Sequence, residues 1–431
     1  MSTAPADDRG ADQLLVRTVP IDDPGDLLDL LPDADPTTTT SWVRRGDGLV
    51  GWGVAARIDT AGASRMIDAD AWWRRTTARF VVRDDVRLPG TGPVAFGSFA
   101  FSRRSAAGGT LVVPRVIVGR RDGRAWLTIV TPPELGPSPG LDDVRSAVTE
   151  VTQPGNVDFT DGALGRAQWR EAVAEVIDVI RSGEVEKVVM ARDVVATTAH
   201  DLDVRHLLRN LTEEYPTCWT FNVDRLVGAT PELLVRRDQG LVACRVLAGT
   251  IQRTGDDAAD LHHAAELARS SKDLGEHELA VRSVAEALEP YCSSFNVPDA
   301  PFVLHLPNVM HLASDVTGVI DPATAGSPTS LALAAALHPT AAVGGTPTAR
   351  AVDVLFEAER MDRARYAGPV GWMGADGDGE WGIALRSGEI TGPRTIRLFA
   401  GCGIVAASDP AAEVAESEAK LRPMRSALAP R

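Results

Sequence analysis

Lysine is the scarce cation of this chain: 41 arginines meet nearly every need for positive charge, and lysine stands only at positions 187, 272 and 420. Arginine stays protonated, whereas a buried lysine can release its proton and serve as a base. Lys187 lies in the apolar run that includes Val188 and Val189, the pattern of an interior strand, where desolvation pushes an ammonium toward neutrality. General-base chemistry is one reading of that placement, and codon usage that spared three lysines is the other. Two stretches of helical pattern carry paired acids. Asp273 and Glu276 are spaced i, i+3, and Glu413, Glu416 and Lys420 share one face of the last helix. Carboxylates from two helices suit a hard cation that prefers oxygen ligands, Mg²⁺ best of all, although each pair alone also fits a solvated helix face. The run Gly401, Cys402, Gly403 leaves a strand with bare backbone N–H groups that can receive a carboxylate, or it is a plain tight turn. The chain ends too soon after it for a dinucleotide-binding unit. Asp376 to Glu380 has the look of a Ca²⁺ loop without its ligand spacing and reads as a hairpin turn, and His311 by itself reads as a core histidine.

These residues need a scaffold, and periodicity supplies one. Over 165–183, Trp169, Val173, Val176, Ile177 and Ile180 recur at helical spacing, and Gly183 ends the helix just before the Lys187 strand. A helix at 204–214 and a strand at 218–223 follow, and then a run at 226–236 that turns at Asp238 to Gly240 and pairs with 241–250. Helices are expected at 258–268, 272–290, 331–337, 348–363 and 409–428. Strands are expected at 302–320 and in a meander of 366–373, 380–389 and 395–400. Earlier segments at 41–54, 94–102, 110–118 and 126–130 are β-rich and carry no site signature. The sequence thus divides into a flexible tail at 1–12, an N-terminal β-rich subdomain at 13–155 that contributes to the core, and a catalytic domain at 156–431. The fold class is α/β (α+β), with a large, mainly antiparallel β-sandwich core surrounded by helices.

Composition narrows the partners. With 431 residues the chain can bury a large core, and its formal net charge of -15 argues against nucleic acid or an anionic membrane, either of which needs a basic face. Cys218, Cys244, Cys292 and Cys402 have no metal or redox spacing and read as reduced, buried thiols. No signal peptide pattern or membrane-length apolar run is present, so a soluble, cytoplasmic protein is expected; the expected oligomeric state is a monomer.

Eight motifs then converge. KVVMAR at 187–192, GATPELL at 228–234, LAGT at 247–250, SKDLGEH at 271–277, LHPT at 337–340, GPVGW at 368–372, AGCGIV at 400–405 and the run from Glu413 to Lys420 occur in one order. Together, over about Gly165 to Leu421, they resemble the chorismate-utilising enzymes, and among these the isochorismate synthases. The resemblance implies an aminodeoxychorismate synthase-like fold, chorismate as the small-molecule substrate and Mg²⁺ as the cofactor. It implies Lys187 as the base that activates water for attack on chorismate C2, and Glu232 as the acid that protonates the departing C4 hydroxyl. Glu276 and Glu416 would ligate the metal directly, with Asp273 and Glu413 holding its waters. Arg386, Tyr366, Lys420 and the backbone of Gly401 and Gly403 would hold the substrate carboxylates. Gly249, Thr250 and His311 would contact the ring and its hydroxyl groups. Lys272 reads as structural, paired with Glu276 one turn on.

Three departures refine the resemblance. Relatives that use ammonia have no lysine at the position of Lys187, which points to water as nucleophile. Aminodeoxychorismate synthases often carry a nucleophilic lysine where Ala248 stands, and Ala341 replaces a usual proline. The product would be isochorismate, for menaquinone or a siderophore. A salicylate synthase that also eliminates pyruvate, and a non-catalytic chorismate-binding subunit, are the alternative readings.

Overall fold

The computed structural model describes residues 13–132, 140–146, 148–321 and 327–430. The tail read at 1–12 and the side chain of Lys272 lie outside that set, as do parts of the Pro/Gly-rich stretch near 140. Among the described residues two large sheets form the body of the molecule, one of 13 strands and one of 10. Among the described strands every pairing is antiparallel except that of Leu15–Ile21 with Val81–Asp84.

Both halves of the chain contribute to both sheets. In the larger sheet Thr39–Arg44 pairs with Trp219–Val223, and in the smaller one Val94–Phe99 pairs with Pro369–Gly374. The N-terminal β-rich region therefore continues the same two sheets that carry the site. Between the sheets, Trp42, Trp126 and Phe221 from one face pack with Phe96, Leu233, Val370 and Trp372 from the other. These large side chains are almost wholly removed from water, and at roughly 1.5–3 kcal/mol for each buried large apolar side chain they dominate the cohesion of the sandwich.

Helices cover the outer faces. The helix Arg166–Arg181 buries Trp169, Val173, Val176, Ile177 and Ile180, the stripe expected from spacing. Ser271–Leu288 and Pro410–Ala427 pack beside the strands Leu241–Gln252 and Thr395–Val405 respectively. Two α-helices among the described residues of the N-terminal region, Arg65–Thr77 and the short Leu141–Ser146, have no counterpart among the expected elements.

The strand expected at 302–320 is two, Phe302–His305 and Val309–Ile320, both in the smaller sheet, and two other expected strands break between sheets. The run read as 226–236 is two strands, Leu226–Thr230 in the larger sheet and Leu233–Asp238 in the smaller. The run read as 380–389 is likewise Gly379–Ile383 in the smaller sheet and Ser387–Gly392 in the larger. The chain crosses between sheets at Pro231 and Glu232, and again at Ala384 to Arg386. Proline supplies no donor to a ladder, which explains the first break. At the second, Arg386 takes a left-handed backbone with φ of +48°. The crossings brace each other: the Ile383 N–H donates to the Glu232 carbonyl at 3.2 Å, and the Ala229 N–H to the Arg386 carbonyl at 3.1 Å. What looked like a simple meander is a pair of sheet-to-sheet passages, each presenting one charged side chain.

Candidate active site

One pocket collects all of the site residues named from the sequence. Lys187, Glu232, Gly249, Thr250, Asp273, Glu276, His311, Tyr366, Arg386, Gly401, Gly403, Glu413, Glu416 and Lys420 line it together. Its floor is made by two antiparallel strands. Lys187–Thr198 pairs with Thr395–Val405 so that Val189 faces Gly403 and Ala191 faces Gly401. Side chains alternate along a strand, so Lys187, Val189 and Ala191 all point into the pocket, opposite two residues without side chains.

The glycines are there for space. A Cβ on Gly403 would stand 3.0 Å from Lys187 Cε and 3.1 Å from Glu276 Oε1. We expect Gly403→Ala to push the lysine aside and lower turnover at least tenfold with an unchanged melting temperature; steady-state rates and a thermal melt on one sample check this. The same strand turns its amides outward. The Gly401 carbonyl accepts from Lys420 Nζ at 2.9 Å, away from the neighbouring Lys187 strand. In a strand a residue's N–H points to the same side as its C=O, and residues two apart repeat that direction. The Gly401 and Gly403 amides therefore also face away from the Lys187 strand.

Acids and bases meet on the opposite wall. The helix Ser271–Leu288 starts at Ser270, whose hydroxyl accepts from the Asp273 N–H and donates to the Asp273 carboxylate. This cap fixes the first turn and with it Asp273 and Glu276. Lys187 Nζ donates to Glu276 Oε1, and Lys420 Nζ pairs with Glu416 Oε1 at 2.6 Å. The wall around Lys187 is thus not purely apolar. Periodicity described the strand but could not see a carboxylate arriving from a helix 89 positions later. For Lys420, burial lowers the proton affinity, but the Glu416 carboxylate outweighs it and raises its pKa to about 12. It stays a cation.

Glu232 has the opposite character. Its side chain is 4% exposed, and burial raises its pKa to about 8 against the pull of Arg386, Lys187 and Lys420. Near neutral pH this carboxyl holds a proton it can donate. Between the two sheets, Arg386 Nη2 lies 3.2 Å from His311 Nε2, and His311 Nδ1 lies 3.0 Å from Thr250 Oγ1. Arginine can only donate, so Nε2 accepts and the ring proton sits on Nδ1, directed to Thr250. Burial, then the Arg386 and Lys420 charges, hold the imidazole pKa well below its ordinary range, so this ring is neutral. Gly249, with φ of +79°, forms a bulge between Ala248 and Thr250 that re-aims Thr250 at the histidine. Tyr366 stacks on Phe399 at 5.1 Å, with its hydroxyl near Gly401.

Two features went unread in the sequence. Cys402 Sγ groups with the Glu413 and Glu416 carboxylates within 4.8 Å. Burial and the Glu416 charge keep its thiol well above the usual range, so it is a neutral neighbour there. Arg363 also lines the pocket, through its guanidinium partners described below. Neither carries a spacing signal, because both reach the site through tertiary packing alone.

A sandwich of antiparallel sheets enclosing an acid, a lysine, four helix-borne carboxylates and a cationic cradle defines an enzyme built for a small anionic substrate. The chain belongs to the chorismate binding enzyme family, whose model matches residues 3–429. It is 32% identical over 381 residues to isochorismate synthase MenF of Bacillus subtilis, covering 83% of this chain and 80% of that protein. It is 33% identical over 435 residues to the salicylate biosynthesis isochorismate synthase of Pseudomonas aeruginosa, covering 94% and 88%. In fold it superposes on MenF, the menaquinone-specific isochorismate synthase from Escherichia coli, with a TM-score of 0.78 at 24% identity, covering 97% of this chain and 95% of that one. Among the described residues, no helix is long and apolar enough to cross a membrane.

Proposed function

We propose that this enzyme isomerises chorismate to isochorismate. The observation that carries the reading is a carboxyl kept protonated by burial, Glu232, facing the same cavity as the buried amine of Lys187. Lys187 takes a proton from water as the oxygen attacks C2 of the ring. Glu232 gives its proton to the C4 hydroxyl, which leaves as water as the double bonds shift. One water enters and one departs, and proton exchange with solvent resets both residues.

The remaining groups bind and orient. Arg386, Lys420 and the outward amides of Gly401 and Gly403 offer the positive charge and donors that two substrate carboxylates need. Neutral His311, with its proton committed to Thr250, presents an uncharged edge to the ring. Tyr366 offers a hydroxyl beside the glycines.

A divalent cation, Mg²⁺, is part of the proposal, held by Glu276 and Glu416 with Asp273 and Glu413 around them. The donor set fits: all four side chains are carboxylates facing one pocket, and two of them already contact lysine side-chain nitrogens. When bound, the ion would neutralise a substrate carboxylate that four acids would otherwise repel.

Incubating the protein with chorismate and Mg²⁺ is expected to yield isochorismate with no salicylate, and chelation with EDTA is expected to abolish turnover reversibly. Salicylate fluorescence in the absence of any lyase would replace this reading by a salicylate synthase. Chorismate binding without any product would replace it by a non-catalytic binding subunit. The isochorismate is proposed to serve menaquinone or siderophore synthesis, in keeping with the names of the relatives.

A further inference from the structure

We infer that Glu359 and Arg363 are positioning residues for Lys187; the inference rests on the reading of Lys187 as the base. The outer edge of the Lys187 strand has a gap. Gly345–Thr346 pairs with it at Lys187 and Val188, and Val157–Asp161 pairs with it only from Val194 onward. Between these, no described strand covers Val189 and Ala191 on that side.

Their backbone groups are satisfied one by one. The Val189 N–H donates to the Gly344 carbonyl at 3.2 Å, and the Val189 carbonyl accepts from Arg363 Nη2. The Ala191 N–H donates to Glu359 Oε1 at 2.7 Å, and the Ala191 carbonyl accepts from Trp169 Nε1 at 3.0 Å. Three of the four partners are side chains standing where a strand would be.

Glu359 and Arg363 form one unit. They are an i, i+4 ion pair, 3% and 4% exposed, with Arg363 Nε 2.9 Å from Glu359 Oε2. Arg363 also donates to the Val343 carbonyl at 3.1 Å and lies 4.3 Å over the ring of Phe101. The pair therefore ties the strand to the loop at 340–345, two residues from the proposed base. Hydrogen bonds to charged groups are stronger and more directional than those of a neutral ladder, so the pair fixes strand height as well as edge satisfaction. A base displaced by about 1 Å loses roughly 10²-fold in rate, so that height matters to chemistry.

The test uses Glu359→Gln and Arg363→Lys. Glutamine can still accept the Ala191 N–H but loses the ion pair, and one ammonium cannot serve both Val189 and Val343. Each is expected to lower kcat about ten- to a hundredfold, with chorismate KM and half-saturating Mg²⁺ within about threefold of wild type. In a Lys187→Ala background the same changes are expected to cause no further loss of residual turnover, because a residue acting through the lysine has nothing left to position. Wild-type kcat in both variants, or losses that add in that background, would overturn the inference. So would a rate that falls only in step with folded protein on a thermal melt. Absence of turnover in the wild-type enzyme would instead refute the isomerase reading, so the two failures are distinguishable.

Discussion

Replacing Lys187 by alanine is expected to lower chorismate turnover about 10³-fold while leaving chorismate affinity within a few-fold of wild type. The amine is 5% exposed and points into the cavity from the same strand face as Val189 and Ala191. The other basic side chains at the pocket are cations with partners of their own, and arginine stays protonated. Lys420 is held by Glu416 and the Gly401 carbonyl, Arg386 by His311, and Arg363 by Glu359. None of these can substitute as a base, and substrate anchoring does not depend on the lysine. Product analysis at saturating chorismate measures the rate, and calorimetric titration measures binding. Turnover within tenfold of wild type would place the base elsewhere. Loss of binding together with rate would make Lys187 an anchor.

Glu232→Gln is expected to lower kcat by about two to four orders of magnitude and, at neutral pH, to raise the melting temperature. The two effects share one cause. Burial raises the Glu232 pKa from an ordinary 4.5 to about 8, so the folded protein keeps a proton that the unfolded chain releases. Below pH 4.5 both states are protonated and the group carries no penalty. As pH rises from there through about 8, the unfolded state gains the advantage and stability falls, and above that range the penalty is constant. Glutamine never ionises and escapes it, which is the trade of stability for activity expected of a buried acid. Wild-type kcat is expected to decline above pH 8 as the donor is lost. Thermal melts at pH 5 and pH 8 check the stability claim: equal Tm differences between variant and wild type at both would remove it.

Much of this site was legible because its residues are local signals. Asp273 and Glu276, and Glu413 and Glu416, lie three positions apart on helices the sequence predicts, so their shared faces follow from 3.6 residues per turn. Lysine in a β-branched run is equally local, and the helix Arg166–Arg181 was readable for the same reason. Gly401 and Gly403, expected at a strand exit, instead lie inside the strand Thr395–Val405, because the Lys187 strand pairs with it past Ala400. Breaks in strands were not. Leu226 to Arg236 and Glu380 to Glu389 have strand composition throughout, and nothing in period-2 alternation says that a chain changes sheets midway. Arginine with φ of +48° is a tertiary fact, held in place by the paired crossing.

By itself, then, the sequence determined which residues could act and on which local elements they ride: an amine on a strand, acids on two helix faces, bare amides between them. Only the tertiary structure decided that these elements converge on one cavity, that Glu232 and Arg386 sit at two adjoining crossings between sheets, and that Lys187 meets Glu276. It also decided that Glu359, Arg363 and Trp169 complete the open edge of the lysine's strand. The physical reason is range. Side-chain periodicity is set by backbone geometry within a few residues, whereas desolvation and ion pairing depend on groups brought together from positions 89 to 168 residues apart.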